Sequence, residues 1–521
     1  MDTKALRQKI FDLAIRGKLV PQDPNDEPAS VLLERIREQK LQMVKEGKLK
    51  KKDIKNDSVI FKGEDNLHYE KFQDGNVKCI EDEIPFEVPE GWSWARLGSI
   101  TDVIQYGLSN SAESTGDYRL LRITDIQDGC VNWESVPFTN TDEPEKYLLH
   151  ENDIVFARTG ATVGKSFLIT DLPYISVYAS YLIRIRLING ISANYIYQFF
   201  NSYCYWEQIT GKAVGVGQPN CNGTSLKELF IPLPPQAEQN RIVPVANNLL
   251  KIVDVISSEQ EKLSELIQTT KSKILDLSIR GKLVPQNSDD EPASVLLERI
   301  RAEKEEFIKQ GKVKRDKKES IIFKGDDNSY YEKVGKEVRN IDDEIPFDLP
   351  RGWIWSRGYS CFDGMESTKP QGDFFDYIDI DAIDNKNHCI KEPKHLPVTK
   401  APSRASRTVK NGSVLFSLVR PYLENIALIE EKHSDCIAST GFYVCNSNGM
   451  FEPDFMFFLM ISEYIVNGLN QFMRGDNSPS ISKDNIEYWL YPVPPINEQQ
   501  AISLKVKAVL SMIENIEESL S

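Results

Sequence analysis

Gly160-Ala161-Thr162-Val163-Gly164-Lys165-Ser166 has the residue types of a phosphate cradle: glycines for close backbone approach, a lysine for charge, a serine hydroxyl for magnesium. The spacing does not fit. Such a loop sets four residues between its first glycine and the Gly-Lys pair, and here there are three. No matching segment occurs in the second half of the chain and no clear magnesium-binding strand follows, so the run reads as a Gly-rich turn after a strand at residues 153–157. Val214-Gly215-Val216-Gly217-Gln218 has a G-x-G core but lacks the third glycine and the following helix of a dinucleotide site. The Asn-Pro-Pro-aromatic run of adenine methyltransferases, a nuclease carboxylate–lysine cluster and a hydrolase elbow are all missing, and the chain reads as non-catalytic. What remains is recognition by hydrogen bonding. Arg158 and Arg420 each follow a hydrophobic strand into a turn, and Gln218-Pro219-Asn220 lines up with Ser478-Pro479-Ser480. Arginine suits guanine O6 and N7, and Asn or Gln suits adenine.

The totals constrain the partner less than they first suggest. A chain of 521 residues is too long for one ordinary core. Its net charge of −15 argues against phosphate binding if taken alone. Net charge is not charge distribution, however, and a locally basic face remains compatible with an acidic total. The eight cysteines contain no C-x-x-C pair and read as reduced thiols of a cytoplasmic protein, and the five histidines fall in no zinc spacing, so no metal site is expected. There is no apolar run of about 18 residues that would span a membrane, and the N-terminus lacks a signal-peptide core.

The elements that must position these residues are written twice. Ile15-Arg16-Gly17-Lys18-Leu19-Val20-Pro21-Gln22 returns as Ile279-Arg280-Gly281-Lys282-Leu283-Val284-Pro285-Gln286. Residues 27–37 match 291–301, Ile60-Phe61-Lys62-Gly63 matches Ile322-Phe323-Lys324-Gly325, and residues 84–92 answer 345–353. Similarity then drops over 99–229 and 360–488. It resumes where Pro232-Leu233-Pro234-Pro235 with Glu238-Gln239 answers Pro492-Val493-Pro494-Pro495 with Glu498-Gln499. Unlike inserts on like frames suggest two different readers held at a fixed separation.

A helix follows each Pro-Pro pair. In the central one Ile242, Ala246, Leu249, Val253, Ile256, Leu263, Ile267, Ile274 and Leu277 alternate by fours and threes as a heptad seam, with Pro244 a candidate bend. The seam from Ile242 to Leu277 would run about 50 Å. Ile502, Val506, Val509, Ile513, Ile516 and Leu520 repeat the register, and residues 3–15 correspond to 267–279. The two termini together are expected to form a broken copy of the central helix, giving two antiparallel rods with pseudo-twofold symmetry. Each unit also carries a second helix, started by Pro28 or Pro292 and ended by Gly47 or Gly311. A basic run follows each: Lys48, Lys50, Lys51, Lys52 and Lys55, then Lys312, Lys314, Arg315, Lys317 and Lys318.

These residues resemble the specificity subunit of type I restriction–modification enzymes. The resemblance covers essentially the whole chain. It rests on the duplicated frame, the Pro-Leu-Pro-Pro…Glu-Gln closing motif, and the strand-turn runs Phe156-Ala157-Arg158-Thr159-Gly160, Ser403-Arg404-Ala405-Ser406-Arg407 and Ala438-Ser439-Thr440-Gly441-Phe442. It implies an α+β fold with two pseudo-repeated globular target-recognition domains joined by long antiparallel coiled-coil helices. It also implies double-stranded DNA as ligand, two methyltransferase subunits and restriction/translocase subunits as partners, and no membrane association. S-adenosylmethionine, ATP and magnesium would sit in those partners, leaving this chain without a cofactor. The extra segments 17–82 and 281–343 depart from the simplest family pattern and have no assigned role.

The expected division is an N-terminal helix (1–16), a repeat segment (17–98), a first recognition domain (99–235) and a central spacer helix (236–280). A second repeat segment (281–359), a second recognition domain (360–495) and a C-terminal spacer helix (496–521) follow. Expected DNA contacts are Arg119, Arg122, Arg158, Thr159, Lys165, Gln218 and Asn220, then Lys369, Arg404, Arg407, Arg420, Tyr422, Arg474 and Asn477. Expected spacer and docking positions are Leu249, Ile256, Leu263, Ile267, Ile274, Val509, Ile513 and Ile516. The rival readings are a coiled-coil adaptor pairing two proteins without DNA and, further off, a P-loop NTPase.

Overall fold

The computed structural model describes every residue except 128, 213–220, 312–319 and 521. The chain divides into two compact units, Met1–Gln260 and Glu261–Ser521. The boundary falls inside the long central helix, Gln236–Ile279, and not at either end of it.

The first unit opens with helix Thr3–Ile15. Asp2 caps it, the carboxylate accepting from the Ala5 N–H at 2.9 Å. Asp2→Ala would cost about 1 kcal/mol of helix stability. The helix buries Ile10, Phe11, Ala14 and Ile15. Ile10 meets Ala246 and Val253 on the central helix, with Leu249 beside them, and Arg7 pairs with Asp254 across the same contact. Gly17 ends the helix at φ +64°, and a Cβ there would lie 2.5 Å from Pro89 Cγ, so both backbone angle and space require glycine. Gly281 repeats this at φ +62°, 2.5 Å from Pro350 Cγ.

Helix Ala29–Lys45 turns Leu32 and Ile36 into the core with Trp92, Ile154, Phe156 and Ile183. Its Lys40 is also buried, pairing with Asp57 at 2.6 Å and donating to the Gly98 carbonyl at 2.8 Å. A three-stranded antiparallel meander follows: Ser58–Lys62, His68–Phe72 and Val77–Cys79. Strand Ser93–Arg96 then pairs antiparallel with Phe230–Leu233, so the chain enters and leaves the intervening insert on adjacent strands. Inside the insert, one sheet orders the strands Ser166–Leu168, Ile154–Ala157, Leu182–Leu187 and Thr101–Tyr106. A second orders Ser176–Tyr178, Tyr118–Leu121 and Phe138–Thr139.

The second unit packs Ile267 and Ile274 against Ile502, Val506 and Ile513 of the C-terminal helix Ile496–Leu520, with Leu263 and Val509 partly buried alongside. Lys271 and Glu517 close this contact at 2.7 Å. Ile256, in the first unit, is half-buried, and Ile516 is 50% exposed, so the apolar seam is not closed along its whole length. Helix Ala293–Lys309 precedes a meander of Ser320–Lys324, Tyr330–Val334 and Glu337–Asn340. Strand Ile354–Arg357 pairs with Leu490–Val493 around the second insert. That insert holds one sheet ordered Lys394–Pro397, Phe374–Ile378, Ile437–Ser439 and Ala405–Thr408, and another ordered Ile426–Leu428, Val414–Ser417 and Phe442–Cys445. The architecture is α+β. No described helix is long and apolar enough to cross a membrane.

The Pro-Pro…Glu-Gln motif has a physical role in each unit. Trp92 Nε1 donates to Glu238 at 2.9 Å, and Trp353 Nε1 to Glu498 at 2.8 Å. Burial pushes both carboxyls above their usual range, and the indole bonds pull them back. Gln239 donates to the Pro234 carbonyl at 3.0 Å and accepts from the Ser192 N–H at 2.8 Å. Gln499 donates to the Pro494 carbonyl at 3.0 Å and accepts from the Glu452 N–H at 2.7 Å. The motif therefore ties the helix start to the insert's entry strand and to a helix inside the insert.

Candidate nucleic-acid interface

In the first unit the fully buried strand Ile154–Ala157 delivers Arg158 to its end. The Arg158 N–H donates to the Tyr181 carbonyl at 3.1 Å, and its carbonyl accepts from the Cys221 N–H at 2.9 Å, so the residue is held by backbone on both sides. Its guanidinium lies over the Tyr106 ring, 4.8 Å from the centroid, and has no carboxylate partner among the described residues. The Nε is buried without a hydrogen-bond partner among those residues. Thr159 precedes the one-turn 3-10 segment Gly160–Thr162 without a side-chain cap bond, and exposed Lys165 lies just before the return strand Ser166–Leu168. The Gly-Lys run is thus the turn of an antiparallel hairpin and not a strand-to-helix loop, which removes the P-loop geometry. Arg158, Thr159 and Lys165 are brought together on this one turn.

Arg119 and Arg122 sit on the other sheet and are engaged internally. Arg119 lies between Phe138 and Tyr174, at 4.0 and 4.8 Å from their centroids, and donates to the Val136 carbonyl at 2.5 Å. Arg122 forks onto Asp125 at 2.6 and 3.1 Å, and that hydrogen bonding raises its pKa. Gln218 and Asn220 lie outside the described residues, as does the basic run Lys312, Lys314, Arg315, Lys317 and Lys318. Lys48, from the first basic run, pairs with Glu46 at 2.8 Å.

The second insert gathers its candidates around the turn at Thr440-Gly441. The Thr440 N–H donates to the Arg404 carbonyl at 2.8 Å, and the Leu418 N–H to the Gly441 carbonyl at 2.8 Å. Arg404 and Lys369 are both exposed, and Arg407 is half-buried on strand Ala405–Thr408, where it bridges to Ser367. Arg420 takes a left-handed backbone, φ +48°, and donates to the Asn477 carbonyl at 3.0 Å. Arg474 exchanges both backbone bonds with Ser480 at 3.0 Å, and Tyr422 stands exposed nearby in sequence. Left-handed geometry at a non-glycine residue costs about 1–2 kcal/mol, and such strain concentrates at ligand-contacting sites. Glu424, at φ +54°, closes the same short turn.

Sequence reasoning passed over Tyr181 and Tyr106. Tyr181 is 60% exposed beside Arg158, and the Tyr106 hydroxyl accepts from the Gly223 N–H at 2.9 Å beneath it. An aromatic at a strand end usually reads as core, and only the pairing of Leu182–Leu187 with both Ile154–Ala157 and Thr101–Tyr106 brings these two residues to the arginine.

Each insert thus ends a buried strand in an arginine-bearing turn, Arg158 in the first and Arg420 in the second, and the side chains around the two turns differ. Residues 89–266 match the type I restriction modification DNA specificity domain. The chain is 26% identical to the EcoAI type I restriction enzyme specificity subunit of Escherichia coli, covering 97% of this chain and 89% of that one. It is 29% identical to the EcoEI specificity subunit of Escherichia coli, covering 80% and 73%. A crystal structure of the HsdS subunit from Thermoanaerobacter tengcongensis is 37% identical over the aligned part, which covers 34% of this chain and 46% of that chain with a TM-score of 0.32. Over most of its length the chain is similar to specificity subunits of type I restriction enzymes, and residues 89–266 carry the matching DNA specificity domain.

Proposed function

We propose that each unit supplies one target-recognition domain, residues 99–235 and 360–495, and that the two read separate halves of an asymmetric DNA site. In this reading the central helix and the two terminal helices form antiparallel spacer rods with pseudo-twofold symmetry. Two methyltransferase subunits and the restriction/translocase subunits dock on the frame in the cytoplasm. Those partners supply S-adenosylmethionine, ATP and magnesium. The observation that supports this most is the contrast between frame and tip. The Trp–Glu–Gln clasp recurs side chain for side chain, whereas the tips offer Arg158, Thr159 and Lys165 in one unit and Arg404, Arg407 and Arg420 in the other. Like frames hold two readers alike, and unlike tips give them unlike half-sites.

Methylome sequencing of a host expressing the chain with its methyltransferase tests this. Methylated adenines should fall in a bipartite motif with two unrelated halves. A single continuous motif would overturn the two-reader reading, and loss of all DNA protection in a footprint would favour a protein–protein adaptor.

A further inference from the structure

The meanders lie in the repeated segments that DNA reading leaves without a role. Their inner faces are explained by packing. Ile60, His68 and Glu70 are buried, Arg96 holding Glu70 at 2.7 Å, and Ile322 and Glu332 are buried, Arg357 holding Glu332 at 3.0 Å. The outer faces are not explained that way. Strand register places Phe61 opposite Tyr69 and puts Lys71 between Val59 and Val77. In the second unit Phe323 stands opposite Tyr331, and Lys333 lies between Ile321 and Val338.

The aromatic pairs share their geometry as well as their identity. Ring centroids are 5.9 Å apart in both, at interplanar angles of 27° and 25°. Each tyrosine is fixed by an aspartate, Tyr69 to Asp65 at 2.7 Å and Tyr331 to Asp327 at 2.8 Å. Val77 and Val338 are each 53% exposed, and Phe61 and Phe323 are 41% and 42% exposed. Lys71 and Lys333 are exposed with no ion-pair partner among the described residues.

Folding does not require phenylalanine and valine on a solvent face, and a contiguous exposed apolar patch marks an interaction surface. Drift would have removed the likeness. The segment from Phe72 to Val77 is one residue longer than that from Val334 to Val338, and the neighbouring inserts share little, yet the outward residues persist. Two matching faces on one chain fit one partner bound twice.

We infer that each outer meander face docks one copy of the same partner protein, the methyltransferase subunit, through an apolar patch carrying a carboxylate opposite Lys71 or Lys333. The choice of occupant rests on the function proposed above. A duplex is a poor fit, because each face offers one lysine amid apolar side chains where phosphate binding needs several. A second copy of this chain is also a poor fit, because two self-complementary faces per molecule would build open chains. A standard interface takes about 20–30 residues a side, roughly 800 Å² per partner, so the few outward side chains of one meander act as one anchor within a larger contact.

The test is native mass spectrometry of the full-length chain titrated with the methyltransferase subunit of its own system. The wild type should reach one chain with two methyltransferases. Lys71→Glu with Val77→Glu should weaken one site at least tenfold and leave a one-to-one complex, and so should Lys333→Glu with Val338→Glu. The fourfold variant should leave the chain free at the same concentration. Unchanged circular dichroism and melting temperature show that the exposed substitutions leave the fold intact. Variants that still take up two copies with unchanged affinity overturn the surface assignment alone. A wild type that binds no methyltransferase overturns both this and the partner reading. Self-association of the chain that the fourfold variant abolishes makes the occupant a second copy and overturns the inference.

Discussion

Arg158 is held at its backbone, and its guanidinium lies over the Tyr106 ring with no carboxylate partner among the described residues. If it reads a base edge, Arg158→Ala should relax specificity in one half-site only, by about 1–3 kcal/mol, in competition binding against single-base variants. Uniform weakening on every sequence would mark a phosphate contact instead. Glu332 makes the contrasting case of a charge that serves the fold. Burial pushes its carboxyl up, but hydrogen bonds from Arg357 and Arg339 outweigh this and hold it at about 2, against an ordinary value of 4.5. A depressed carboxyl stabilises the fold fully above pH 4.5 and loses that contribution as pH falls toward 2. Glu332→Gln should therefore lower the melting temperature at pH 7, where it leaves buried Arg357 with Glu344 as its remaining carboxylate partner, and by a smaller margin near pH 3. At this scale the sequence revealed residue types but not their neighbours. Arg119, Arg122 and Arg158 look alike in the chain, and only the structure shows Arg119 donating to the Val136 carbonyl between Phe138 and Tyr174, Arg122 forked onto Asp125, and Arg158 over Tyr106.

The elements were more legible, because periodicity and capping are local. Gly17, Gly47, Gly281 and Gly311 mark helix ends at positive φ, as their positions after helical runs predict. The Pro-Pro…Glu-Gln motif was visible as a recurrence, but its partner was not, since Trp92 lies far from Glu238 in sequence. Trp92→Phe keeps the ring and removes the donor to a buried carboxylate. It should cost about 1–3 kcal/mol, read as a lowered urea midpoint. The two meanders were legible only as repeated Ile-Phe-Lys-Gly runs, because their strands are short and alternate imperfectly.

At the scale of the whole molecule, duplication foretold two compact units, and the structure places their boundary inside one helix. With a net charge of −15, any surface that attracts a polyanion must be locally basic against the total. If the central helix sets the spacing between half-sites, four residues inserted after Ser257 lengthen it by about 6 Å while nearly preserving its face. The methylated motif should then gain about two base pairs between its halves, at ~3.4 Å each. An unchanged gap would dismiss the helix as the ruler.

Each insert begins on strand Ser93–Arg96 or Ile354–Arg357 and ends on the strand paired with it. Its two ends therefore meet at a single doorway, bolted by the Trp–Glu bond just outside. A replacement insert could use that doorway only by keeping what the frame grips inside it: the side chains against Leu32 and Ile36 in the first unit, and the N–H groups of Ser192 and Glu452 that Gln239 and Gln499 accept from. An exchange confined to those two borders would change the tip and leave the Trp–Glu bond outside the doorway as it was.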